Sequence, residues 1–94
     1  MEIFKINYMA LTKILKISAP WCSMCKQLKK ELSDWDGIPI VEFDADEDEE
    51  ICVKYNIRSL PTLLFVDESE KEIGRKVGMI TKKQIQDYIN ILNE

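Results

Sequence analysis

The run Trp21-Cys22-Ser23-Met24-Cys25 constrains this chain most, because it sets two thiols one helical turn apart at a point where the pattern changes from strand to helix. Before it, Lys13 to Ala19 is apolar and β-rich; after it, Lys26 to Trp35 has helical spacing. Two cysteines separated by two residues can close and reopen a disulfide within one chain turn. At a helix N-terminus, unpaired backbone N–H groups and the positive end of the dipole favour a thiolate over a thiol. Cys22 is therefore the expected attacking sulfur and Cys25 the resolving one, with a Cys22–Cys25 bridge in the oxidised form.

Composition narrows the alternatives. Ninety-four residues make one domain, expected over 1–94, with enough chain for a real core. Asp and Glu outnumber Lys and Arg by 17 to 13, and the net charge of −4 argues against a nucleic-acid binder. Three cysteines do not make the even, dense framework of a small secreted disulfide scaffold. No signal peptide is read at the N-terminus and no apolar stretch approaches the ~20 residues needed to span a bilayer, so no membrane partner and a cytoplasmic, reducing location are expected. A structural zinc or iron–sulfur site would need four ligands, whereas the sequence has no histidine and Cys52 adds at most a third thiol. No metal and no organic cofactor are expected.

The remaining pattern alternates. Ile3 to Ile6 suits a short edge strand, while Asn7 to Leu11 is ambiguous between a turn and one helical turn. Lys13 to Ser18 reads as a strand covered on both faces. Met24, Leu28, Leu32 and Trp35 recur on one helical face, with Gly37 as the stop. Ile38 to Ala45 reads as a strand parallel to the first. Asp44 to Glu50 holds six acids in seven residues, a solvated loop that favours the start of a short helix over Glu49 to Tyr55, with Asn56 able to take a left-handed cap. Cys52 lies on that helix beside Ile51 and Tyr55, as a small buried hydrophobe would. Thr62 to Val66 and Glu72 to Val77 flank a polar turn and form a hairpin. Thr81 and Gln84 make a capping box for a last helix with Ile85, Tyr88, Ile89 and Leu92 on one stripe.

The order βαβα then ββα, with the dithiol at the first long helix, resembles the thioredoxin family. The resemblance covers nearly the whole chain after residue 12. It rests on Trp21-Cys22-x-x-Cys25-Lys26, on Tyr55-Asn56-Ile57-Arg58-Ser59-Leu60-Pro61-Thr62, and on Lys76-Val77-Gly78 before the last helix. It implies an α/β thioredoxin fold, a central mixed sheet of four or five strands with helices on both faces and a shortened N-terminal element. It further implies a cis peptide before Pro61 facing the dithiol, and a docking surface made of Trp21, Ser23, Met24, Leu60, Pro61, Gly78 and Met79. The implied activity is reduction of protein disulfides by a monomer. The implied partners are disulfide-containing proteins and an NADPH-dependent flavoprotein thioredoxin reductase. A binding subunit using the same surface, or an oxidase or isomerase using the same dithiol, are the alternatives.

Three positions depart from the family pattern. Ser23-Met24 stands where Gly-Pro is usual, which removes a proline from the first helical turn. Lys16 stands where a buried aspartate is usual, and Glu42 where a lysine is usual on the neighbouring strand. The reversed pair is expected to lie beneath the dithiol, where an unpaired charge is costly. Lys16 is expected either to aim its ammonium at Cys25, stabilising thiolates, or to reach the surface. Glu42, or a water held between it and Lys16, is the expected replacement proton acceptor for Cys25.

Overall fold

The computed structural model describes residues 10–93, so the strand expected at Ile3 to Ile6 and the ambiguous segment up to residue 9 lie outside the described residues. Seven elements follow: β1 (Lys13–Ser18), α1 (Ser23–Glu31), β2 (Ile40–Asp44), α2 (Glu49–Lys54), β3 (Thr62–Val66), β4 (Glu72–Val77) and α3 (Lys82–Leu92). The strands form one mixed four-stranded sheet in the order β2-β1-β3-β4. β1 runs parallel to β2 and antiparallel to β3, and β3 and β4 form the antiparallel hairpin.

The period-two alternation of the central strands divides the interior. Ile14, Leu63 and Phe65 point to one face, where they meet Leu28 of α1 and Ile85 and Ile89 of α3. Leu15, Ile17, Leu64 and Val66 point to the other, where Tyr55, Ile51 and Cys52 of the α2 region cover them. All five residues of β3 are buried, as are Ile14 to Ser18 of β1, because these two strands have neighbours on both edges and helices on both faces. Burial on this scale stabilises by about 1.5–3 kcal/mol per large apolar side chain.

Caps and turns fix the element ends. Thr81 accepts from the Gln84 N–H while the Gln84 side chain accepts from the Thr81 N–H, so the capping box forms. Asn56 has φ 52 and ends the α2 turn in the left-handed region. The helix expected to run to Trp35 ends at Glu31 instead. Beyond it the bonds tighten to three residues: Ser33 N–H donates to the Lys30 carbonyl at 3.2 Å and Trp35 N–H to that of Leu32 at 3.0 Å. The Trp35 indole then donates to the Ile38 carbonyl at 2.8 Å, so its ring still packs on the core without a helical backbone beneath it. β2 also starts two residues later than expected, after Pro39, which has no N–H to give to a ladder but accepts from Ile14 N–H at 2.9 Å.

Candidate active site

The end of β1 and the start of α1 bring the two thiols together. Cys22 is the N-cap of α1, with extended backbone (φ −90°, ψ 110°), and the next three residues turn into the helix. This places Cys25 one turn on, its Cα 5.2 Å from that of Cys22, and the two sulfurs are joined as a disulfide. The Cys25 backbone N–H donates to Cys22 Sγ at 3.1 Å. The sulfur thus occupies the position where a capping oxygen normally satisfies an orphan amide. Both cysteines are buried, at 7 % and 4 % exposure, against Ala19 and Leu60.

Of the expected docking residues, Leu60 packs against the bridge, Trp21 shares a cavity with Cys22, and Met24 Sδ reaches toward Gly78. Trp21 is 68 % exposed, and its indole N–H donates to Asp46 Oδ2 at 2.8 Å. The ring is therefore held as an open platform rather than closed over the sulfur. Trp21, Cys22 and Leu60 share a cavity of about 340 Å³ with Cys52 and Arg58. Ser23 is exposed, as are Met24 and Met79 at 43 % and 41 %. The Leu60–Pro61 peptide is cis, and Pro61 is buried. Gly78 has φ +93 and donates its N–H to the Pro61 carbonyl at 2.9 Å. A Cβ at Gly78 would stand 3.7 Å from Met24 Sδ, so a side chain there is resisted by its backbone conformation more than by crowding. Met79 turns away from the sulfurs and lines a separate cavity of about 390 Å³ with Val77, Ile80, Tyr88 and Ile91.

Lys16 and Glu42 stand directly opposite each other in the β1–β2 register, and Lys16 Nζ lies 3.6 Å from Glu42 Oε2. The expected pairing of Lys16 with Glu42 is present, and the expectation that Lys16 reaches the surface needs correction. It is 3 % exposed, so it does not reach the surface, and its ammonium is turned to Glu42. Lys16 lines a cavity with Leu32, Trp35 and Ile38, whereas Cys25 lines another; Glu42 and Lys29 border both. Glu42 is half-exposed rather than buried, because β2 is the outer strand on that side of the described sheet. Its carboxyl sits below the ordinary carboxylate range, chiefly through the Ser18 hydroxyl, which donates to Oε2 at 2.7 Å. Burial opposes this shift, and the Lys16 and Lys29 charges reinforce it.

Cys52 is half-buried rather than buried, with its thiol directed at the Ala45 carbonyl at 4.0 Å. Burial first, and then the carboxylates of Asp48, Glu49 and Asp46, push its pKa up. Two site residues escaped the sequence reading. Ser18 could have been found from its spacing, two residues after Lys16 on the same strand face. Asp46 had no such signal, since nothing in an acidic run marks which carboxylate reaches an indole. No group of His, Cys, Asp and Glu able to hold a metal occurs among the described residues.

A disulfide at a helix N-terminus, packed against Leu60 at the end of a mixed sheet, is the arrangement of a thiol–disulfide exchange protein. The family model "Thioredoxin" matches residues 5–91. The chain is 35 % identical over 77 residues to a thioredoxin of Bacillus subtilis, a match covering 77 % of this chain and 73 % of that one. It is 33 % identical over 78 residues to a thioredoxin of Buchnera aphidicola, covering 78 % and 71 %. The crystal structure of a reduced Schistosoma mansoni thioredoxin pre-protein superposes with a TM-score of 0.71 at 30 % identity, covering 97 % of this chain and 88 % of the other. A Halobacterium salinarum thioredoxin shares the fold, with a TM-score of 0.76 at 22 % identity over 99 % and 84 %. The chain belongs to the thioredoxin family, and its Cys22–Cys25 pair is that of a dithiol–disulfide oxidoreductase.

Proposed function

We propose that this chain works as a monomeric, single-domain reductase of protein disulfides in a reducing, cytoplasmic compartment, recycled by an NADPH-dependent flavoprotein thioredoxin reductase. The observation that carries the reading is the Cys25 N–H aimed at Cys22 Sγ at the head of α1. In the reduced protein this amide and the helix dipole favour the Cys22 thiolate. That thiolate attacks one sulfur of the substrate disulfide, forms a mixed disulfide and expels a substrate thiolate. Cys25 then loses its proton and attacks Cys22 Sγ, the bond from Cys22 to substrate breaks, and the second substrate thiolate leaves. The substrate gains two electrons, and the dithiol loses two in closing its bridge.

The expected docking residues supply the substrate surface. Trp21, Met24 and Met79 offer apolar contact, Ser23 a hydroxyl, and the loop at Leu60 and Pro61 with Gly78 room for an extended substrate backbone. Glu42 receives the proton of Cys25, and the Ser18 hydroxyl, with the Lys16 and Lys29 charges behind it, keeps that carboxylate ionised.

Insulin reduction with a recycling reductant tests the reading. Wild type should turn over, while Cys22→Ser and Cys25→Ser should both abolish turnover, and Cys25→Ser should accumulate a mixed disulfide on Cys22. Turnover that survives Cys22→Ser would refute the assignment, and a stable complex with an inactive wild-type protein would identify a binding subunit instead. A reductase also needs a dithiol potential on the order of −200 to −300 mV; a value near −120 mV would mark an oxidant.

A further inference from the structure

Cys25 is almost fully buried, yet it borders a cleft of about 620 Å³ whose other walls include Ser18, Glu42, Lys26, Lys29, Asp44 and Glu47. Three carboxylates reach this cleft, and they are held differently. Asp44 Oδ1 accepts from the Asp46 backbone N–H at 2.9 Å and serves the turn. Glu47 has no side-chain hydrogen bond among the described residues and projects from the exposed loop. Glu42 alone of the three is fixed by side chains of the strand that leads to the dithiol: the Ser18 hydroxyl at 2.7 Å and the Lys16 ammonium at 3.6 Å, both on Oε2.

We propose that Ser18 is a positioning residue for the resolving half-reaction: its hydroxyl holds the Glu42 carboxylate in the wall of the cleft that Cys25 borders, so that the Cys25 proton leaves through this cleft. The inference rests on the reading of Cys25 as the resolving thiol. Ser18 ends β1, so its side chain cannot drift from the sulfur-bearing turn, and it is itself buried. Without it, a half-exposed glutamate on an outer strand keeps only a long contact to Lys16 and swings into solvent. The groups facing Glu42 are Lys16 and Ser18 from β1 and Lys29 from α1, while the acids Asp44, from its own strand, and Glu47, from the loop that follows, border the same cleft. In the step itself, the Cys25 thiol gives its proton to Glu42, directly or over one water. The Cys25 thiolate then bonds to Cys22 Sγ, and the departing substrate thiolate takes a proton from Glu42 or water.

The test follows the decay of a preformed mixed disulfide between Cys22 and a reporter peptide, from pH 5 to 10. Ser18→Ala and Glu42→Ala should slow release at pH 7 by roughly 10- to 100-fold, with the deficit vanishing at alkaline pH, where hydroxide deprotonates Cys25. Ser18→Thr should restore most of the rate. Formate, small enough to enter the cleft, should accelerate release in Glu42→Ala but not in wild type. Formation of the mixed disulfide by Cys22 should be slowed far less than its release in Ser18→Ala. The proposal is overturned if Ser18→Ala keeps the wild-type rate and pH profile, if Ser18→Thr is as slow as Ser18→Ala, or if formate has no effect on Glu42→Ala. Should Ser18→Ala fail to fold, Ser18→Gly, which also removes the hydroxyl, decides by the same rate and pH profile. A wild type that forms the mixed disulfide but never releases it refutes the resolving role of Cys25 itself, a separate outcome.

Discussion

Cys22 and Cys52 border one cavity, yet their sulfurs sit in opposite fields. Cys22 faces a backbone N–H at the positive end of α1, while Cys52 faces the carboxylates of Asp46, Asp48 and Glu49 and is partly withdrawn from water. The same acidic loop therefore suppresses one thiol and, through Asp46, fixes the indole beside the other. In the reduced protein at pH 7, iodoacetamide should modify Cys22 at least about tenfold faster than Cys52, as resolved by mass spectrometry of the two peptides. Equal rates would remove the distinction. The two catalytic thiols were legible in the sequence because their spacing falls where a strand pattern gives way to a helical one, with no further ligands to complete a metal site. Of the partners of Glu42, Lys16 was expected through the reversed pair, but Ser18 was not, because a strand register is needed before Lys16, Ser18 and Glu42 are known to share a wall.

At the scale of elements, the β3–β4 hairpin shows how one carboxylate can organise a turn. Asp67 Oδ1 accepts from the Ser69 N–H at 2.9 Å, the Ser69 hydroxyl at 2.8 Å and the Lys71 N–H at 3.0 Å, while Glu70 takes φ 65. The Lys71 backbone N–H is the largest cause of an Asp67 carboxyl held below its ordinary value of 3.8, followed by the Ser69 hydroxyl. A carboxyl lowered in the folded state contributes stability that is present above 3.8 and is lost as pH falls through the folded value. Asp67→Asn should therefore be less stable than wild type in urea at pH 7, and the gap should narrow below pH 3.8. A gap that holds constant into acid would show that the ionised form is not what matters. Strands bounded by strong turn chemistry, such as Thr62–Val66 and Glu72–Val77, were read to the residue. The end of α1 was not, because Leu32 and Trp35 stay on the core side whether the backbone beneath them is helical or a series of tight turns.

Over the whole molecule, the sheet is a shared wall between two interiors. β3 supplies Leu63 and Phe65 to one and Leu64 and Val66 to the other, so loss of the strand empties both. Phe65 is fully buried, with its ring edge-on to Tyr88 at 5.0 Å between centroids. Phe65→Ala should cost about 3–5 kcal/mol, read as a fall in the urea midpoint. Far-UV circular dichroism and tryptophan fluorescence should report one coincident transition, since Trp35 packs on the same interior. A loss below about 1 kcal/mol, or two separated transitions, would contradict a jointly supported sheet. The fold class was legible from the order of elements because each connection is short enough to allow few topologies. Which side each helix covers followed only from the alternation along β1 and β3 once their pairing was known.

The full enclosure of β1 has a bearing on how the protein cycles. Its last turn carries the chemistry, but the strand behind it is locked by neighbours above, below and to either side. Making or breaking the sulfur–sulfur link must then be absorbed by the few residues between Ala19 and Lys26. A partner that distinguishes the spent protein from the charged one should therefore engage that small cap, where Trp21, Ser23 and Met24 stand open to solvent.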